Sequence, residues 1–224
     1  VNAQPLEIEP DYNGLVINGR LAEVDLADWV AKDGGAAVDL PVSWQIRGLQ
    51  VGNFIVDDLS FANLELNGQG DSSTAFFQVR SEDVAGSIDV SDPANLVVDL
   101  LTLRLPGYEP GDNALQGNLD PIDLAIGRGL PRAEVFVNQL MIGEEPFGRW
   151  KFEITPELGG VRFDIEDVLV NGVDITDSVI HWNLEQNRSA FSGSAQMQDL
   201  AEVLPLWGYA PVVTSKTASV VGNL

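Results

Sequence analysis

The feature that most constrains the fold is a weak internal repeat written in strands. The segment Val51-Gly-Asn-Phe54-Ile-Val56-Asp-Asp-Leu-Ser-Phe61-Ala-Asn-Leu64-Glu-Leu66 returns as Val137-Asn-Gln-Leu140-Met-Ile142-Gly-Glu-Glu-Pro-Phe147-Gly-Arg-Trp150-Lys-Phe152, an offset of 137 − 51 = 86 residues. Apolar residues meet apolar residues at each numbered position, and in both copies an acidic turn precedes an aromatic residue. Repetition of one supersecondary unit usually builds an extended surface rather than a single reaction centre.

The rest of the chain follows the same pattern, with runs of alternating apolar residues separated by Gly, Asp, Asn and Pro. Strands are expected at Leu15–Val24, Ile46–Val56, Ser60–Asn67, Thr74–Arg80, Ala85–Val90, Leu96–Leu105, Ala133–Ile142, Arg149–Thr155, Val161–Ile165, Val168–Val170, Ser178–Leu184 and Ser189–Met197. Short turns such as Pro156-Glu-Leu-Gly-Gly160 and Glu185-Gln-Asn187 suit antiparallel hairpins. Two segments depart from this. Asp25-Leu-Ala-Asp28 and Asp199-Leu-Ala-Glu202 each carry a strand into a short helix, with an acid at the cap and another three residues on. After Asp199, Leu200, Val203, Leu204 and Trp207 fall on one helical face, and Pro205 should bend or shorten that helix. The Gly107–Pro121 stretch reads as a long loop within one continuing pattern, so the chain is expected to be one β-rich segment, 1–224, with repeat copies near 46–105 and 133–184. The strand-to-helix units lie near 15–31 and 189–207.

Composition narrows the chemistry. With no cysteine and one histidine, thiolate catalysis, disulfides and multi-histidine metal sites are excluded. A formal charge of −22, from 34 acidic and 12 basic residues, leaves no basic stripe for nucleic acid and would be repelled by an anionic bilayer surface. Any lipid would therefore be held by its acyl tails. No run approaches the roughly 18 apolar residues of a membrane span. The start at Val1-Asn-Ala-Gln and the end at Ala218–Leu224, inside what reads as a strand, suggest a piece of a longer protein.

Candidate catalytic groups are few. His181 lies between Ile180 and Trp182 and points to the opposite face of the expected strand, where a lone imidazole is ordinary surface. Phe191-Ser-Gly-Ser-Ala is not a nucleophile elbow. The acid pairs Asp57-Asp58 and Glu144-Glu145 occupy equivalent turns, where solvated acids are common. Neighbours in a strand also diverge to opposite faces, which argues against a paired acid and base. Asn187-Arg-Ser189 fits a glycosylation sequon.

Certain stretches resemble the YhdP-type AsmA-like family. The main one is Arg188-Ser-Ala-Phe-Ser-Gly-Ser-Ala-Gln-Met-Gln-Asp-Leu-Ala-Glu-Val-Leu-Pro-Leu-Trp-Gly-Tyr, which looks like that family's strand–helix signature near its C-terminal end. Gly148-Arg-Trp-Lys-Phe-Glu-Ile-Thr-Pro-Glu-Leu-Gly-Gly-Val-Arg-Phe-Asp-Ile is similar to its hairpin repeat. So are Leu21-Ala-Glu-Val-Asp-Leu-Ala-Asp-Trp and Gly86-Ser-Ile-Asp-Val with the Leu96–Pro106 strand. The resemblance implies a segment of a large periplasmic protein anchored in the inner membrane of a Gram-negative bacterium. Like the related TamB type, it would form a curved β-sheet whose apolar inner surface carries phospholipid between the two membranes.

The fold class expected is mainly β: a curved antiparallel sheet of repeated hairpins with two short helices. The function expected is a non-enzymatic lipid conduit that needs no cofactor and no metal, with phospholipid acyl chains and envelope proteins as partners. Residues that follow the apolar alternation and could contact acyl chains are Leu64, Leu66, Val97, Leu101, Leu103, Leu105, Phe136, Leu140, Ile142, Trp150, Phe152, Ile154, Ile180, Trp182 and Leu184. Asp99 interrupts the first of these strands, and Thr102 and Arg104 mark its other side. Alternation does not distinguish an open groove from an ordinary dry core. The alternatives are a structural or protein-binding β module and a carbohydrate-active jelly roll. The latter would need two carboxylates about 5 to 9.5 Å apart across a cleft.

Overall fold

The computed structural model describes residues 14–25, 43–56, 59–92, 94–106, 132–183, 188–197, 200–206 and 218–223, the side chains of 204–206 and 218–223 excepted. The chain divides into two compact units, Val1–Pro106 and Gly107–Leu224. Both are β-sheets.

The first unit contains β1 (Leu15–Ile17), β2 (Arg20–Asp25), β3 (Trp44–Val56), β4 (Leu59–Gly70), β5 (Ala75–Arg80), β6 (Val84–Asp92) and β7 (Asn95–Leu105). From β3 to β7 each strand pairs antiparallel with the next, the meander that short turns dictate. Two expectations are corrected at the start of the chain. The single strand Leu15–Val24 is two strands, broken where Gly19 adopts φ +128°, and both halves lie parallel to β3 rather than antiparallel. Parallel pairing needs a crossover of a dozen or more residues. The 43 − 25 = 18 residues between Asp25 and Trp44 are long enough to make one.

The second unit contains β8 (Arg132–Ile142), β9 (Glu145–Glu157), β10 (Gly160–Val170), β11 (Val173–Asn183), β12 (Arg188–Met197), the helix α1 (Leu200–Leu206) and β13 (Ala218–Asn223). All six strands pair antiparallel in sequence order. The expected strands Val161–Ile165 and Val168–Val170 are one, interrupted by a register shift at Glu166. The expected strand Ser178–Leu184 begins earlier, at Val173, across a second irregularity at Asp177, whose φ is +47°. Between β10 and β11 the turn is the two-residue pair Asn171-Gly172, with φ +45° and +76°, the twist that suits a tight hairpin. The helix at Leu200–Leu206 matches the C-terminal expectation, whereas Asp57, Asp58, Leu184, the helix after Asp25 and the Gly107–Pro121 loop lie outside the described residues.

Packing within each unit is lateral. Among the described residues, the substantial contacts between elements run between strands that neighbour one another in a sheet. Apolar surface buried between neighbouring strands contributes roughly 25 cal/mol per Å².

Candidate apolar binding surface

Cross-strand partners share a face, so the register shows where each side chain belongs. In the first unit one face carries Trp44, Ile46, Leu49 and Val51 on β3, and Leu64, Leu66, Gly68 and Gly70 opposite them on β4. It continues through Phe77 and Val79 on β5, Ile88 on β6, and Val98 and Leu100 on β7. The other face carries Gln45, Gln50, Glu65, Asn67, Gln69, Gln78, Arg80, Ser87, Asp89 and Asp99, with Phe76 and Val97 among them. One side is apolar and its reverse is mostly polar.

Two β-bulges maintain this segregation. On β3, Arg47 and Gly48 together oppose Asn67, so Ile46 and Leu49 both face the apolar side although they are three residues apart. Gly48 takes φ +56° there and its N–H donates to Asn67 Oδ1 at 2.7 Å. On β7, Leu101 is the extra residue between Leu100, opposite Gly86, and Thr102, opposite Ala85.

The bulge at Leu101 redistributes the expected site residues. Val97 stands across from Asp89, on the same face as Asp99, and Leu101 is 48% exposed at the bulge. Leu103 lies across from Val84, half-buried like Leu105. Asp99 thus belongs to the polar face and does not interrupt the apolar one. Leu66 is half-buried on the apolar face, while Leu64 is 1% exposed and sealed in its floor.

The second unit repeats the arrangement. Ala133, Val135 and Val137 on β8 face Ile154, Phe152 and Trp150 on β9. The same face takes in Val161, Phe163, Ile165, Val168 and Val170 on β10, and Val173, Ile175, Ile180 and Trp182 on β11. Ile165, Val168 and Val170 form its buried floor, and Phe147, Trp150, Phe152, Ile175 and Ile180 pack against them from half-buried positions. Trp150 is oriented by its indole N–H, which donates to the Phe147 carbonyl at 2.8 Å. Ser178 is the polar exception at 1% exposure, and its hydroxyl donates to the Thr176 carbonyl at 2.9 Å. Val203 of α1 is buried, with a methyl against Gly172.

Phe136 is displaced from the expected set: it stands across from Lys151, on the opposite face from Trp150. Leu140 lies across from Gly148 beyond another bulge, and Ile142 lies at the turn across from Glu145. Trp150, Phe152, Ile154, Ile180 and Trp182 do come together on one face. Residues that alternation alone missed are Trp44, Phe77, Val98, Leu100, Val135 and Phe163. Strand-interior Gly48 and Gly86 were the available signal, since such glycines mark bulges and close approaches.

The reverse face of the second sheet is a lattice of charges. Arg132 pairs with Glu153, Lys151 with Glu166, Arg149 Nη2 with Asp167 Oδ2 at 2.7 Å, and Arg162 with Asp164. The hydrogen bond from Arg132 lowers the Glu153 pKa and raises that of Arg132, and the bond to Glu166 raises that of Lys151. His181 is on this face, as its position between Ile180 and Trp182 requires, with Glu157 Oε2 3.5 Å from Nδ1. Glu144 and Glu145 are exposed at the β8–β9 turn. Among the described residues no group of three or more His, Asp or Glu gathers to hold a metal, and no helix is long and apolar enough to cross a membrane.

Such geometry defines a class: β-sheet scaffolds with one largely apolar and one largely hydrophilic face. A family model described as YhdP protein matches residues 5–224. The chain belongs to the YhdP family, an AsmA-like family of the envelope lipid-transport type, which is non-enzymatic. No curated protein and no solved structure gives a significant match.

Proposed function

We propose that the apolar faces hold phospholipid acyl chains on their way between the inner and outer membranes, within a periplasmic protein anchored in the inner membrane. The tails lie against Leu66, Phe77, Val79 and Val98 in the first unit and against Phe152, Ile154, Ile180 and Trp182 in the second. The headgroups stay in water, and the charged reverse faces keep the protein soluble.

The observation that carries this reading is the half-buried state of those side chains on faces whose reverse is mostly polar. A side chain packed in a closed core would be buried on every side, whereas these retain accessible apolar surface that a hydrocarbon can cover. Strand after strand offers similar contacts, which suits sliding better than capture in one deep pocket.

Native mass spectrometry of the purified chain tests the proposal. The expected result is co-purifying phospholipid, displaced when Val98 or Phe152 is changed to Asp while the fold is retained. A chain that carries no lipid and takes up none from vesicles would refute it.

A further inference from the structure

On the apolar face of the first unit, β4 presents glycine twice, at Gly68 and Gly70, where its neighbours present large rings. Each glycine is roofed by one of those rings. A Cβ on Gly68 would lie 2.9 Å from Phe77 Cδ1, and one on Gly70 would lie 2.5 Å from Trp44 Cζ2 and closer still to the Thr74 carbonyl. The two rings come from opposite sides, Trp44 from β3 and Phe77 from β5, and stack at 5.5 Å between centroids with 29° between planes. Both remain half-buried. One surface of the pair is therefore against the glycine backbone and part of the remainder is accessible.

We infer that Gly68 and Gly70 are clearance positions, and that Trp44 and Phe77 form a low aromatic shelf over which an acyl chain passes. A side chain at either glycine would lift a ring away from the sheet and into the space above it. The inference rests on the proposed lipid-holding role and adds a mechanism to it: the face stays open at this point because the bulkiest side chains lie in the footprint of missing ones. Flat rings also suit the ligand, since an alkyl chain can contact a planar surface in many equivalent positions and so is not fixed in one.

The test uses the full chain and a phosphatidylethanolamine with a diazirine on one acyl chain, supplied in vesicles, with labelled peptides mapped by mass spectrometry. In the wild type, label is expected on the peptides holding Trp44 and Phe77 and on those holding Phe152 and Trp182. Gly68→Ala is expected to lose label from the first pair while the second pair is labelled as in the wild type and the β-sheet circular dichroism spectrum is retained. The double variant Gly68→Ala/Phe77→Leu should regain it, because a narrower, flexible side chain can yield to the added methyl. If Gly68→Ala labels like the wild type, or the double variant stays unlabelled, the shelf is wrong and the lipid-holding reading survives. A wild type labelled at neither pair overturns both.

Discussion

Val51 stands directly across from Leu64, and both side chains are 1% exposed. Their counterparts 86 residues later, Val137 and Trp150, are also cross-strand partners. The next pair along, Leu49 with Leu66, corresponds in the same way to Val135 with Phe152. The repeat thus preserves hairpin register as well as apolar character, and each copy places its conserved spacing on the apolar face of its own unit.

Truncating the sealed partner should be costly. Leu64→Ala removes methyl groups from a fully buried side chain and is expected to destabilise the first unit by about 2–5 kcal/mol. Leu101→Ala, at an exposed bulge, should stay within about 0.5 kcal/mol. Urea denaturation of the two variants distinguishes them, and equal losses would contradict the assignment of Leu101 to the bulge.

How much of this was legible in the sequence depended on the bulges. Trp150, Phe152, Ile154, Ile180 and Trp182 follow uninterrupted period-two runs, and alternation grouped them correctly. Val97 and Phe136 were misplaced because one extra residue, at Leu101 or between Val137 and Leu140, inverts the parity of everything beyond it. The parallel placement of β1 and β2 was not legible at all, since pairing direction follows from the connection rather than from the pattern within the strand. The outward direction of His181 was legible from its two apolar neighbours, but its proximity to Glu157 depends on the β9–β10 hairpin and was not.

Gly148 occupies φ +77°, and a Cβ there would run into the Leu169 carbonyl of the adjacent strand. Gly148→Ala therefore combines backbone strain with a clash against rigid backbone and is expected to cost more than about 1 kcal/mol. Thermal melts should show the loss, with Gly159→Ala as a comparison: it also has positive φ, at +79°, but lies exposed in a turn.

Asp71 closes the β4–β5 turn. Its carboxylate accepts from Ser73 N–H at 2.8 Å, Ser73 hydroxyl at 2.9 Å and Thr74 N–H at 2.9 Å, and these bonds lower its pKa from 3.8 to about 2. A depressed folded-state pKa stabilises the fold above the unfolded value and ceases to do so as pH falls through the folded one. Asp71→Asn should melt below the wild type at neutral pH, with the gap closing between about pH 4 and pH 2. A gap independent of pH would show that the carboxylate charge is irrelevant to the turn.

The charge lattice should contribute little by comparison. Arg149 and Asp167 are 45% and 34% exposed, so solvent screens their attraction, and Arg149→Ala is expected to cost at most about 1 kcal/mol. Raising the salt concentration should shrink even that difference in a denaturant titration.

Neighbouring residues on β7 offer the most direct measurement, because Val97 and Val98 differ in little except the face they occupy. A photoreactive amino acid is placed at each in turn, in the full chain exposed to phospholipid vesicles. Strong lipid crosslinking is expected at 98 and little at 97. Equal crosslinking at both, or lipid only at 97, would contradict the assignment of the apolar face as the surface that holds the acyl chains.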